Sequence, residues 1–304
     1  MIYNLITVLG PTACGKTKLT ARLADHFNGE VISADSRQVY KRMNIGTGKD
    51  LQEFFLNSRK IPYHLIDIVE PEEEFNLFLF TEHFSKAFHS ILEKQKTPFL
   101  TGGTGMYLSA VLQNYQLAKT DFHSKRKSDL EKFPADTLAE LLLSLNPKLH
   151  NTTDLLDRER LIKAILVAEA SSNDEANGHM KVSSFTIGIQ PERKILKERI
   201  SERLKLRLQN GMIEEVERLV TEGISFEKLN FFGLEYRYIG LYLQKKLTYN
   251  DMFQKLRGAI NQFAKRQMTW FRKMEREDVP IYWLPEVDFS EAKNLIESKC
   301  PLFH

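Results

Sequence analysis

Gly10-Pro11-Thr12-Ala13-Cys14-Gly15-Lys16-Thr17 fits the pattern G-x-x-x-x-G-K-[ST] in full. Glycines let such a backbone wrap closely, so its N–H groups and the following helix N-terminus cradle phosphate oxygens. Lys16 would bring a point charge to the terminal phosphate, and Thr17 a hydroxyl for Mg²⁺. The loop identifies a di- or triphosphate ligand without saying which. Cys14 falls at a helix N-terminus, where a thiol can become reactive. A small side chain filling the loop is the plainer reading.

Two carboxylates compete for a role beside this loop. Asp35 ends the run Glu30 to Ala34, at the edge of a sheet where ligands of open α/β folds bind. In a small kinase such an Asp takes the proton of the phosphoryl acceptor. Asp67, after Leu65-Ile66, is the nearest match to the strand-end Asp that holds metal in motor-type ATPases, but it adjoins an acidic run. No Asn-Lys-x-Asp segment is present to read a guanine base.

The elements that must position these groups follow from short apolar runs alternating with helical patterns. Leu5 to Leu9, Glu30 to Ala34, Tyr63 to Val69, Pro98 to Thr101 and Ser184 to Ile189 read as strands. Helices are expected over Lys16 to Phe27 and Phe80 to Leu92. The alternation points to βαβ units and a parallel sheet covered on both faces. From about Gln116 the pattern turns polar and helix-like, with amphipathic stretches at Thr137 to Leu145 and Asp157 to Glu169. Ser171 to Gly178 reads as a loop. The expected architecture is an α/β, P-loop NTPase-like parallel sheet core with a mostly helical insertion. Its parts are residues 1–115, the insertion 116–183, and 184–304.

The chain has 304 residues, is 42% hydrophobic, and carries a net charge of +3. That composition excludes a disordered protein. No apolar run approaches the length of a membrane span, and the start of the chain does not read as a signal peptide. Two cysteines, Cys14 and Cys300, cannot build a disulfide framework or a four-cysteine zinc site. A soluble, cytoplasmic protein is expected.

The small net charge hides patches. Residues 64 to 82 carry six acidic side chains and no Lys or Arg. Residues 193 to 207 carry seven basic side chains against two acidic, and residues 255 to 276 seven against one. Both basic stretches read as helices. In the first, Leu196, Ile200, Leu204 and Leu208 make an apolar stripe beside Arg199, Arg203 and Arg207. In the second, Leu256, Ile260, Phe263, Trp270 and Met274 make the apolar face, and Lys265, Arg272 and Arg276 share another. Two such helices favour a polyanion, phosphate or RNA.

Ile32-Ser33-Ala34-Asp35-Ser36-Arg37-Gln38-Val39-Tyr40, followed by Met43-Asn44-Ile45-Gly46-Thr47-Gly48-Lys49, resembles the tRNA dimethylallyltransferase family. So do His64-Leu65-Ile66-Asp67, Gly102-Gly103-Thr104-Gly105-Met106-Tyr107 and Ala264-Lys265-Arg266-Gln267-Met268-Thr269-Trp270-Phe271-Arg272. The matches run in order from Gly10 to Arg272. The resemblance implies transfer of a dimethylallyl group from dimethylallyl diphosphate to N6 of adenine 37, beside the tRNA anticodon. The phosphate loop, Gly10 to Thr17, would then hold an isoprenoid diphosphate, with Mg²⁺ on Thr17.

The same resemblance implies roles for particular residues. Asp35 takes the amine proton, while Lys16, Thr17 and Arg203 stabilise the leaving diphosphate, with Arg199 the runner-up to Arg203. Asp35, Ser36, Arg37 and Gln38 lie against the RNA, as do Glu159, Arg160, Leu161, Ile162 and Lys163 in the insertion. Thr104 lines the channel where the substrates meet. A monomer is expected.

Two departures stand out. Cys14 replaces a frequent Ser, and Glu235-Tyr236-Arg237 stands where the family often has Gly-Tyr-Arg. An adenylate isopentenyltransferase and a small P-loop kinase are the alternative enzymes. The first has no use for the basic helices or the insertion, and the second requires ATP and an arginine-rich lid. A non-enzymatic RNA-binding module would leave the phosphate loop and Asp35 idle.

Overall fold

The computed structural model describes residues 3–56, 58–115, 117, 119–122, 125–145, 157–171 and 181–300. The chain forms two compact units, one from residues 1–113 and 182–304 and the other from 114–181.

The first unit is built on a six-stranded sheet. Its strands are β1 (Leu5–Leu9), β2 (Gly29–Ala34), β5 (Tyr63–His64), β6 (Thr97–Gly102), β7 (Ser184–Ile189) and β8 (Tyr282–Leu284), in the order β5-β2-β6-β1-β7-β8. All five pairings are parallel. β1, β2 and β6 are buried along their whole length, as expected for strands covered on both faces. Val8 is in register with Thr101 on one side and Ile187 on the other. The carboxyl ends of β1, β2 and β6 therefore reach one edge together. A small hairpin, β3 (Phe55–Leu56) with β4 (Arg59–Lys60), stands apart.

Helix α1 (Lys16–His26) follows the phosphate loop, α2 (Leu77–Glu93) links β5 to β6, and α3 (Gly105–Leu112) follows β6. In the second unit α4 (Lys125–Leu130), α5 (Ala135–Leu145) and α6 (Arg158–Ser171) pack around Leu130, Leu138, Leu142, Leu161 and Ile165. The first unit then resumes with α7 (Arg193–Gln209), α8 (Met212–Thr221), α9 (Phe226–Phe232), α10 (Leu234–Leu243), α11 (Tyr249–Arg276) and α12 (Phe289–Lys299).

The expected strand Tyr63 to Val69 keeps only Tyr63 and His64. Leu65 and Asp67 adopt left-handed backbone, φ 63° and 56°, and turn the chain out of the sheet. Val69 then forms a single bridge with Tyr40. The expected apolar face of α11 also needs correction, because Phe263 is 38% exposed. Of the expected loop Ser171 to Gly178, only Ser171 is among the described residues, and it ends α6.

Candidate active site

A cavity of about 820 Å³ opens at the carboxyl edge of the sheet, within the size range of small-molecule sites. Thr12, Ala13, Gly15, Lys16 and Thr17 line it from the phosphate loop. Gly15 sits at φ 89°, a left-handed turn that a side chain would strain. It lets α1 begin with Lys16 and Thr17 facing the cavity. Among the described residues no side chain bonds the Thr17 hydroxyl. Lys16 Nζ donates to the Pro11 carbonyl at 3.2 Å.

Not every residue of the loop faces the ligand space. Gly10, Pro11 and Cys14 are buried behind it, and none of them lines the cavity. Their side chains shape the loop from behind the cavity wall. Cys14 is fully enclosed, as a small packing side chain would be. The Thr12 N–H donates to Gln267 Oε1 at 2.8 Å, so it is held by the protein. Gln267 also donates through Nε2 to the Gly103 carbonyl at 2.8 Å. A residue of α11 thus ties the phosphate loop to the β6–α3 turn.

Asp35 faces the same cavity from the end of β2. Its Oδ1 accepts the backbone N–H groups of Arg37 at 2.9 Å and Gln38 at 3.4 Å. This turn holds the carboxylate while leaving Oδ2 without a hydrogen bond among the described residues. The Ser36 N–H donates to Thr104 Oγ1 at 3.1 Å, and the Thr104 N–H donates to the Ala34 carbonyl at 3.2 Å. Thr104, at the head of α3, therefore locks the Asp35 turn to β6. Gln38 lines the cavity but both ends of its amide are engaged, by Ser33 Oγ at 3.1 Å and the Gly48 carbonyl at 3.0 Å. The Arg37 guanidinium lies 4.7 Å from the centre of the exposed Phe231 ring.

Asp67 is absent from the cavity wall. It pairs with the buried Lys49, whose Nζ also donates to the Tyr40 carbonyl and Asn44 Oδ1. The metal-holding reading of Asp67 gives way to a structural one. Among the described residues no cluster of three His, Cys, Asp or Glu side chains is arranged for a metal. A Mg²⁺ held through one hydroxyl, substrate oxygens and water needs no such cluster, and Thr17 fits that donor set.

Helix α7 supplies the cations. Arg199, Arg203 and Arg207 all line the cavity, and Arg203 Nη1 reaches Thr12 Oγ1 at 3.4 Å. Apolar wall comes from Leu206, Phe232, Leu234, Ile260, Phe263 and Trp270. Trp270 is oriented by its Nε1 donating to Ser109 Oγ at 2.8 Å. Phe263 is thus partly exposed because it faces a cavity, which helical periodicity alone does not distinguish from core.

Sequence reasoning missed Glu215. Its buried carboxylate accepts the N–H groups of Asn44, Ile45 and Gly46 at 2.8, 2.8 and 3.0 Å, and the Tyr236 hydroxyl at 2.8 Å. It pins the loop after Asp35 to α8 and α10. Glu235 also lines the cavity; burial pushes its carboxyl above the usual range, against the pull of Arg207.

In the second unit, Leu161 and Ile162 are 1% and 3% exposed and pack in the helical core. Their side chains hold α6 in that core. Glu159, Arg160 and Lys163 are exposed, with Lys163 donating to Glu159 at 2.8 Å.

Residues 38–274 match the family model described as IPP transferase, and residues 3–69 the one described as isopentenyl transferase. The tRNA dimethylallyltransferase 1 of Geotalea daltonii is 52% identical over 284 residues, covering 93% of this chain and 91% of its own. The corresponding protein of Syntrophus aciditrophicus is 46% identical, with 98% of both chains covered. Among solved structures, the tRNA isopentenylpyrophosphate transferase of Bacillus halodurans superposes with a TM-score of 0.71 at 30% identity, over 97% of this chain and 96% of that one. A eukaryotic dimethylallyltransferase acting on tRNA shares the fold, with a TM-score of 0.76 at 24% identity over 97% and 78%. With the IPP transferase model covering most of the chain and relatives about half identical along it, the protein belongs to the tRNA dimethylallyltransferase family of prenyltransferases.

Proposed function

We propose that this protein transfers the dimethylallyl group from dimethylallyl diphosphate to N6 of adenine 37 in tRNA, releasing diphosphate. The observation that carries the reading is that Asp35 and the phosphate loop open onto one cavity with an apolar wall. A diphosphate on the loop would leave its prenyl chain against Trp270, Phe263 and Ile260. The acceptor amine would enter beside Asp35.

In this mechanism the N6 nitrogen attacks the first carbon of the prenyl group as the bond from that carbon to diphosphate oxygen breaks. The excess proton on nitrogen passes to Asp35 Oδ2. Charge gathers on the departing diphosphate, where Lys16, Arg203 and the N–H groups of the loop's cavity-facing turn stabilise it. When bound at the Thr17 hydroxyl, Mg²⁺ supplies further charge neutralisation there. Thr104 acts by holding the Asp35 turn at the junction of the two substrates.

The target adenine must leave its stack to reach this cavity, which single-stranded RNA loops permit. Ser36, Arg37 and Gln38 lie on the acceptor side, with Arg37 and Phe231 offering a cationic and aromatic surface. In the insertion, the exposed Glu159, Arg160 and Lys163 are the proposed tRNA contacts. The same reading makes the protein a cytoplasmic enzyme that works as a monomer; among the described residues no helix is long and apolar enough to cross a membrane.

The test is incubation with Mg²⁺, dimethylallyl diphosphate and unmodified tRNA, followed by mass spectrometry of the nucleosides. Prenylated adenosine at position 37 is expected. Product from AMP and none from tRNA would replace this reading with an adenylate isopentenyltransferase.

A further inference from the structure

The cations facing the phosphate loop are already engaged by a carboxylate of the protein. Asp50 Oδ2 accepts directly from Arg203 Nη2 and lies 3.7 Å from Arg207 Nη2. Arg203 uses its other terminal nitrogen, Nη1, to reach Thr12 of the phosphate loop. Asp50 and the two guanidinium groups all line the cavity. Both pack against Gly48, where a β-carbon would lie 1.6 Å from Arg207 Nη2 and 2.8 Å from Arg203 Nη2.

Arg207 is the odd member of this group. Its Nη2 is buried and makes no hydrogen bond among the described residues, although donors so placed are nearly always satisfied. Glu235 is a second acidic neighbour, with no ion pair to Arg207 among the described residues. Asp50 differs from a buried structural acid. Its side chain is 34% exposed, it lines the cavity, and its backbone is held left-handed at φ 42° and ψ 46°. A non-glycine residue is disfavoured there.

We propose that Asp50 competes with the diphosphate for Arg203 and Arg207, and that Arg207 is a further diphosphate contact. The inference rests on the diphosphate reading of the loop. A diphosphate offers more charge and more acceptor oxygens than one carboxylate, so it takes the arginines when bound. It does so at the expense of the Arg203 bond and the Arg207 ion pair to Asp50, which lowers the net hold. A site that bound the released diphosphate with both arginines fully available would slow its own turnover at product release. Asp50 gives the arginines an acceptor to return to.

Opposite-sign variants test this, with inorganic diphosphate and Mg²⁺ as the probe in calorimetry. Asp50→Asn is expected to bind diphosphate about tenfold more tightly, and Arg207→Met about tenfold more weakly, the worth of one charge-assisted bond. Asp50→Gly, which also accommodates the left-handed backbone, is expected to tighten binding in the same direction. Product inhibition of the prenyl transfer should strengthen in both Asp50 variants. If Asp50 is only a strut for its loop, its variants bind diphosphate equally or more weakly, and the competition is overturned. Unchanged affinity in Arg207→Met overturns the further contact. Wild-type protein that binds no diphosphate overturns the diphosphate reading, and this inference with it.

Discussion

Strand β2 carries a carboxylate near each end, and the two are treated in opposite ways. Glu30, near the amino end, is 2% exposed and is held by Lys96 at 2.8 Å, His64 at 2.7 Å and Lys94 at 3.3 Å. Burial alone would push its pKa up, but hydrogen bonds from Lys96, His64 and Lys94 bring it down to about 2. Asp35, just past the carboxyl end, is held only by backbone N–H groups and has no cation within ion-pair distance among the described residues. The amino edge of the sheet spends its charges on the fold. At the carboxyl edge an oxygen of Asp35, the Thr17 hydroxyl and Arg207 Nη2 make no hydrogen bond among the described residues, and the one carboxylate that pairs with the arginines, Asp50, itself lines the cavity.

The strongest way to break this contrast is at Asp35. Asp35→Asn keeps the Oδ1 acceptor of the turn but removes the base. Turnover is expected to fall about a thousandfold, with diphosphate affinity and stability nearly unchanged. Single-turnover prenylation, diphosphate titration and urea unfolding on the same preparation check all three. A parallel loss of diphosphate affinity would make Asp35 a ligand-site residue and not the base.

Glu215 should show the reverse pattern. Glu215→Ala leaves three backbone N–H groups and the Tyr236 hydroxyl without their buried acceptor. A loss of about 3 kcal/mol in unfolding free energy is expected. Diphosphate binding should weaken less than stability, because Glu215 is not part of the cavity wall.

Glu30 gives a smaller effect with a pH signature. Its folded pKa of about 2 lies below the ordinary 4.5, so its contribution is complete above pH 4.5. It is lost as the pH falls from 4.5 through 2. Because Lys94 and Lys96 are partly solvated, the contribution is on the order of 2 kcal/mol. Glu30→Gln should lose that amount at pH 7 and unfold with a flatter acid limb, measured by urea melts from pH 7 to 3. Turnover of the folded variant should match wild type.

Local signals explain what the sequence made legible. The run Leu5 to Leu9 into the glycine motif, and the start of α1 at Lys16, depend on neighbouring residues alone, and both stand where the pattern puts them. Tyr63 to Val69 looked like one more strand because its apolar content does not reveal the left-handed turns at Leu65 and Asp67. Gln267 and Glu215 escaped notice for another reason. They act across 255 and about 170 residues of chain, where no spacing rule applies. Phe263 and Trp270 carry a helical period that reads the same whether the face meets core or a ligand cavity.

Cys14 offers the mildest test, and it probes whether burial or contact defines the phosphate loop. The thiol is fully enclosed, and a β-carbon added at Gly10 would come within 2.8 Å of its Sγ and 2.9 Å of the Ile189 carbonyl. There is room for a Ser hydroxyl, which is smaller than the thiol. Cys14→Ser should therefore cost no more than about 1 kcal/mol in stability, with turnover within about twofold of wild type. Wild-type enzyme should also resist a bulky thiol reagent while folded, since an enclosed sulfur cannot be reached. If Cys14→Ser instead raises the KM for dimethylallyl diphosphate with tRNA affinity intact, the buried half of the loop senses the ligand. The division between residues that shape the loop and residues that meet phosphate would then have to be redrawn through Cys14.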